Sequence, residues 1–232
     1  MISELFLSFL FVIIFILFIY FLIRTRTIER VERFEHKERR TKPFMIIGPS
    51  GVGKDTLMRI LINKYPTIFT KCVSCTTRAP REGEKEGINY YYITKERFYE
   101  LEQSGDIIGR FEKYDNLYGT SRQEVDRNLD NDKIVYFDYN IETAINIFKE
   151  GNFEFNYIAI LPPSIEELGN RLRMRNSEDE SSLQQRLAYA KKEVELIKKS
   201  KFINYVINND DIDRASSELE LKVKVLYPNF FI

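Results

Sequence analysis

The sequence predicts an α/β protein: a mostly parallel sheet with helices on both faces, a β-rich insertion, and one transmembrane helix ahead of it. Three observations predict this. Four apolar runs of strand length, at 44–47, 134–137, 157–161 and 205–207, alternate with helical patterns at about 54–64, 121–130, 141–150, 164–175, 181–200 and 212–224. Near-continuous apolar strands separated by helices are the pattern of a sheet buried on both faces. Between residues 72 and 119 the pattern changes to VSCTT, INYYYI and DIIGRF with turns and one short helix, which reads as an inserted β subdomain. Finally, the first 23 residues hold six of the 18 phenylalanines and a single charge, Glu4.

Taken in order, residues 1–4 are a short leader and 5–23 read LFLSFLFVIIFILFIYFLI, without charge, glycine or proline. Nineteen residues of helix span roughly 28 Å, close to the hydrocarbon thickness of a bilayer. A buried core helix would keep a polar stripe. A cleaved signal peptide would have a shorter apolar run, a basic leader and a small-residue cleavage site. The expectation is therefore a retained anchor in the lipid bilayer. Residues 24–42 follow as a stalk with eight basic and four acidic side chains. Net positive charge on that side predicts that the rest of the chain faces the cytosol as a single-pass membrane protein. Glu29, Glu32, Glu35 and Glu38 recur every third residue among arginines, which suits a solvated helix, and the lone His36 lies there too.

The remaining 190 residues, 43–232, form one globular domain. Charge is balanced over the whole chain, with 35 Lys+Arg against 35 Asp+Glu, so no cationic field calls for nucleic acid. Two cysteines and one histidine exclude a disulfide framework and a repeated metal array. Cys72 and Cys75 make a single CxxC, which lacks the second half of a zinc site and the context of a redox motif.

The sharpest motif is Gly48-Pro49-Ser50-Gly51-Val52-Gly53-Lys54, which follows an apolar strand and opens a helix. Glycines at this spacing let backbone N–H groups wrap phosphates, while the lysine reaches the outer oxygens and the helix N-terminus adds positive potential. Nucleotide-phosphate binding follows. The next position normally carries the Ser or Thr whose hydroxyl binds Mg²⁺; here it is Asp55, with Thr56 one residue on. A carboxylate is an acceptable magnesium ligand.

Downstream, Ser74-Cys75-Thr76-Thr77-Arg78-Ala79-Pro80-Arg81-Glu82-Gly83-Glu84 and Gly87-Ile88-Asn89-Tyr90 are followed by Leu117-Tyr118-Gly119-Thr120-Ser121, then by the stretch from Pro162 to Leu168, and by Asn209-Asp210-Asp211. In this order and spacing the segment 43–225 resembles the guanylate kinases. The resemblance implies a P-loop nucleoside-monophosphate-kinase core, an NMP-binding subdomain at about 74–121 and a helical lid at about 168–190. It implies transfer of the γ-phosphate of ATP to GMP or dGMP, with Mg²⁺ as cofactor. Arg78, Arg81, Tyr90 and Tyr118 match the positions that clamp the GMP phosphate, Ser74 and Thr120 those facing the guanine edge, and Glu84 the acid that orders the arginines. Asp138 joins the acceptor site and, with Asp55, the magnesium ligands. Asn209 joins the ATP site, and Arg171, Arg175 and Arg186 are the lid arginines expected to act with Lys54 on the migrating charge. Such a transfer needs positioning and cations rather than a protein nucleophile.

Three positions depart from the family pattern: Asp55, Asn140 where a second acid would follow Asp138, and Gly109 where the guanine-reading acid would stand ten residues before Gly119. Weak selection of the acceptor base is expected, and Gly109→Glu is expected to tighten GMP binding unless Glu112, three residues on, takes that part. A Gly-Lys-Asp P-loop is similar to that of ribose 1,5-bisphosphate phosphokinases, so a kinase of another phosphorylated acceptor is one rival reading. A guanylate-kinase-like protein-interaction module is the other.

Overall fold

A computed structural model describes residues 41–113, 115–174 and 180–231. The expected anchor at 5–23, the stalk as far as residue 40, and Arg175 lie outside the described residues. Among the described residues no helix is long and apolar enough to cross a membrane.

The core is a five-stranded, all-parallel sheet. Strand β1 (Phe44–Ile47) lies at its centre between β7 (Ile134–Tyr139) and β8 (Asn156–Leu161), with β2 (Phe69–Lys71) and β9 (Tyr205–Asn208) at the edges. All four β1 side chains are buried because the sheet is covered twice. Phe44 and Ile46 pack on one face against Leu57 and Leu61 of α1 (Lys54–Lys64) and Leu219 and Val223 of α7 (Ile212–Leu226). Met45 and Ile47 pack on the other against Val125 of α3 (Arg122–Leu129), Ile141 and Ala144 of α4 (Ile141–Glu150), and Ile197 of α6 (Glu180–Lys199). Side chains alternate across a strand, so a run apolar at every position is what two covered faces require. Each such side chain contributes roughly 1.5–3 kcal/mol of burial.

Helix starts follow local chemistry: Ser121, Asn140 and Asp211 each accept a backbone N–H of the first turn of α3, α4 and α7. The one core strand absent from the sequence reading is β2, a three-residue edge strand in which only Phe69 is buried.

The insertion is a second, four-stranded sheet in the order β4 (Tyr91–Tyr92), β3 (Cys75–Thr76), β6 (Asn116–Ser121), β5 (Ile107–Lys113), with α2 (Lys95–Gln103) as its short helix. The β5–β6 pairing passes from Ile108↔Thr120 to Phe111↔Tyr118, so Gly109 and Arg110 bulge opposite Gly119. Helix α5 (Ile165–Met174) and the start of α6 cover the stretch at about 168–190 that the sequence reads as a lid.

Candidate active site

The phosphate loop sits at the carboxyl end of β1, and Asp138 reaches the same edge because β1 and β7 are parallel with Ile46 opposite Asp138. Gly53 opens α1 with φ +105°, where a side chain would meet the Asn209 amide. That amide donates to the Val52 carbonyl at 2.7 Å. Asn209 therefore braces the loop from the end of β9. Lys54 Nζ donates to the Gly48 carbonyl at 2.6 Å and lies 3.7 Å from the Asp138 carboxylate. Burial pushes the Asp138 carboxyl above its usual range; Lys54 pulls it back and Asp55 adds to the rise.

A cavity of 660 Å³ opens here, lined by Gly48, Pro49, Ser50, Gly51, Gly53, Lys54, Asp55, Thr56, Asp138 and, from α6, Arg186 and Glu193. Arg186 Nη2 reaches Ser50 Oγ at 3.4 Å.

The insertion builds the opposite wall. Arg78 Nη2 donates to both oxygens of Glu84 at 2.9 and 3.0 Å, and the Arg81 N–H and Tyr92 hydroxyl donate to the same carboxylate at 2.7 and 2.9 Å. The Arg78 guanidinium holds Glu84 well below the usual range, at about 2. Arg78 also lies over the Tyr90 ring at 5.6 Å, and Tyr90 meets Tyr118 edge-on. Arg78, Arg81, Tyr90 and Tyr118 converge on a second cavity of 1060 Å³. Guanidinium forks and phenols donate to phosphate oxygens in complementary geometry. The two cavities share Lys113, Asn140 and Tyr189 as lining, so the loop and the clamp open onto adjoining space.

The structure places the other expected residues as follows. Ser74 and Thr120 are brought together at 2.9 Å, but Thr120 is fully buried, its hydroxyl 2.6 Å from that of Tyr139, and neither residue lines the second cavity. Gly109 has φ +67°, and a Cβ there would stand 2.7 Å from the Tyr139 ring, so a glutamate cannot be grafted on at that position. Glu112 borders the cavity, yet it pairs with Leu117, on the face opposite Phe111 and Tyr118, and its carboxylate meets Arg110 at 3.5 Å. Asn140 spends its carbonyl on the α4 cap, accepting from the Thr143 N–H. Arg171 bonds Glu167 and lines a 480 Å³ hollow beside Asn209 and Ile212, which shares Gly51, Gly53 and Thr56 with the loop cavity. Arg173 is exposed and pairs with Glu180, as a solvated side chain should.

Other residues went unread. Glu193 is buried at the loop cavity, and desolvation raises its carboxyl to about 7. Its signal was present: with Leu183, Ala190 and Ile197 it falls on the inward stripe of α6, a charge where the helical period wants an apolar residue. Tyr189 and Lys192 both donate to Glu142 at 2.8 Å, tying α6 to α4. The two cysteines are free and buried, with Cys72 pushed up to about 12 by burial, so neither is a thiolate. No group of three or more metal-ligating side chains occurs among the described residues.

A family model described as guanylate kinase matches residues 40–225. The chain is 40% identical over 185 residues to a guanylate kinase of Clostridium perfringens, covering 80% of this chain and 83% of that one. It is 40% identical over 179 residues to the human guanylate kinase, covering 77% and 90%. The crystal structure of guanylate kinase from Anaplasma phagocytophilum superposes with a TM-score of 0.57 at 29% identity, over 80% of this chain and 86% of that one. With the intact loop, the clamp facing it and this extent of likeness, the chain belongs to the guanylate kinase family and is a nucleoside monophosphate kinase.

Proposed function

We propose that the chain transfers the γ-phosphoryl group of ATP to GMP, giving ADP and GDP, while held at a membrane by residues 5–23 with the kinase domain in the cytosol. The observation that carries the transfer is the adjoining of two phosphate sites of opposite provenance, the loop at the end of β1 and the Arg78–Arg81–Tyr90–Tyr118 clamp of the insertion. GMP as acceptor rests on the names of the relatives at about 40% identity. The anchor rests on the uncharged run at 5–23 and the basic stalk after it.

The loop N–H groups and Lys54 hold the donor phosphates, and Lys54, already poised at the mouth by the Gly48 carbonyl, offers its charge to the migrating group. Arg186 adds a second cation from α6, and Arg175 is a third candidate by sequence. Arg171 and Asn209 border the hollow beside the loop, where the donor's nucleoside would rest. Arg78 and Arg81 orient the acceptor phosphate, fixed in turn by Glu84.

The residues fit a magnesium ion. Asp55 and Asp138 line one cavity, where Asp55 adds to the rise of the Asp138 carboxyl, and magnesium is commonly held by one or two carboxylates with phosphate and water completing the shell. Asp55 and Asp138 would hold the ion, which would supply positive charge against that of the phosphates.

The test is release of ADP from ATP by the full-length chain with GMP as acceptor, and its extraction from membranes by carbonate. GMP-dependent release with carbonate-resistant pelleting is expected. No release with any phosphorylated acceptor overturns the kinase reading, and full extraction overturns the anchor.

A further inference from the structure

The two phosphate sites are each complete within their own part of the chain. The clamp is built wholly from the insertion, where Glu84 orders Arg78 and the Arg81 N–H. The loop is built wholly from the core and braced by Asn209. Neither site sets its distance from the other. Packing leaves the seam between them incompletely filled, with a 220 Å³ cavity lined by Ile107 and Ile108 of the insertion and by Ile147 and Phe153 of the core. Near the middle of the seam, Tyr139 of β7 meets Thr120 of β6. The edges are held by α3, which continues directly from β6 and buries Val125 in the core with Met45 and Ile47 of β1. Two arginines of α3, five residues apart, reach opposite edges of the insertion sheet, whose strand order is β4-β3-β6-β5. At the β5 edge, Arg122 Nε donates to the Gly105 carbonyl at 3.2 Å and its backbone N–H to the Asp106 carbonyl at 2.8 Å. Its Nη2 donates at 3.1 Å to the carbonyl of Asn152, in the core connection from α4 to β8, and the guanidinium lies over the Phe153 ring at 5.6 Å. At the β4 edge, Arg127 Nη2 donates to the Tyr91 hydroxyl at 2.9 Å and pairs with Glu124 of α3. Glu124 is itself buried and accepts from the Asn128 amide at 2.8 Å, which fixes the core end of that tie. A planar guanidinium can span two acceptors on different segments in one fixed geometry.

We propose that Arg122 and Arg127 are positioning residues: through α3 they fix the tilt of the acceptor clamp against the phosphate loop, and so govern the transfer step without touching either nucleotide. This rests on the reading that the phosphoryl group passes from the loop to an acceptor in the clamp. Neither arginine lines the loop cavity or the clamp cavity. Each nucleotide therefore keeps its own contacts when an arginine is removed, and what changes is the register between the two. In-line transfer needs the reacting atoms about 3–3.5 Å apart, and a displacement of about 1 Å costs roughly 10² in rate. A loss of rate without a loss of ground-state binding is the signature of that register.

The experiment measures the single-turnover rate of ADP formation by the full-length chain, with enzyme in excess over ATP and with GMP saturating. Separate titrations give the affinity for ATP alone and for GMP alone. Arg122→Ala and Arg127→Ala should each lower the rate about tenfold or more, with both dissociation constants within about threefold of the wild type. Tyr91→Phe removes only the hydroxyl through which Arg127 holds the β4 edge, and should reproduce the Arg127→Ala loss. A variant that melts cooperatively and keeps the wild-type rate overturns the inference. So does a loss of GMP affinity as large as the loss of rate, which would make α3 a support of the clamp alone. If an arginine variant does not melt cooperatively, Tyr91→Phe decides on the same terms. A wild-type chain that binds ATP but releases no ADP with GMP overturns the acceptor reading and this inference with it, whereas GMP-dependent release that the variants leave unchanged overturns this inference alone.

Discussion

Glu193 provides a sharp energetic test of how α6 packs at the loop cavity. It is 4% exposed, and desolvation lifts its carboxyl from 4.5 to about 7, with Glu142 adding to the rise and Lys54 opposing it. A carboxyl whose folded-state value is raised favours its protonated form in the native protein. Its contribution to stability is therefore intact below about pH 4.5 and is lost as pH rises towards and through 7. Glu193→Gln keeps the shape and removes the charge. The difference in stability should be under about 1 kcal/mol at pH 5 and about 3 kcal/mol in favour of glutamine at pH 8.5. For a domain of this size that is a rise in Tm of about 6–12 °C, readable by thermal melts of the full-length chain at the two pH values. A glutamine variant that melts at or below the wild type at pH 8.5 refutes the reasoning: Glu193 would then be held ionised by Lys54 and stabilising, with attraction outweighing desolvation.

Four other perturbations follow from the geometry. Lys54→Ala should lower ADP release about 10²-fold or more with the melting temperature little changed, since the cation serves developing charge rather than the core. Arg78→Ala should raise the acceptor KM well before it affects ATP binding, as titrations of each nucleotide would report. Because Glu84 is held at about 2 by Arg78, the clamp stays ordered from neutral pH down through the ordinary carboxylate range and loosens only towards pH 2, so Glu84→Gln should weaken acceptor binding at neutral pH. Gly109→Glu should destabilise by about 3 kcal/mol, combining a left-handed backbone with overpacking against Tyr139, and should not improve the KM for GMP. A stable Gly109→Glu with tighter GMP binding would show that the bulge relaxes.

The phosphate loop was legible from its residues because its chemistry is local. Glycine spacing, the lysine and the strand-to-helix transition are contiguous, and covalent geometry alone delivers them to one turn. Several helices were equally plain, with Thr94, Ser121, Asn140 and Asp211 capping the first turns of α2, α3, α4 and α7, and the doubly buried strands announced themselves by unbroken apolar runs. Edge strand β2 did not, because three residues with one inward side chain carry no periodicity. The sequence by itself thus determined the α/β class, the parallel sheet with its helices and the order of most elements. Tertiary structure alone decided what surrounds them. Whether Ser74 and Thr120 face a ligand or a tyrosine depends on β6 meeting β7 across the insertion, through contacts 19 and 46 residues apart in the chain. The same holds for Gly109, which reads as a missing acid in sequence and as the space for Tyr139 in the fold, because volume is shared between strands that pair far apart and one chain position carries no record of what fills it.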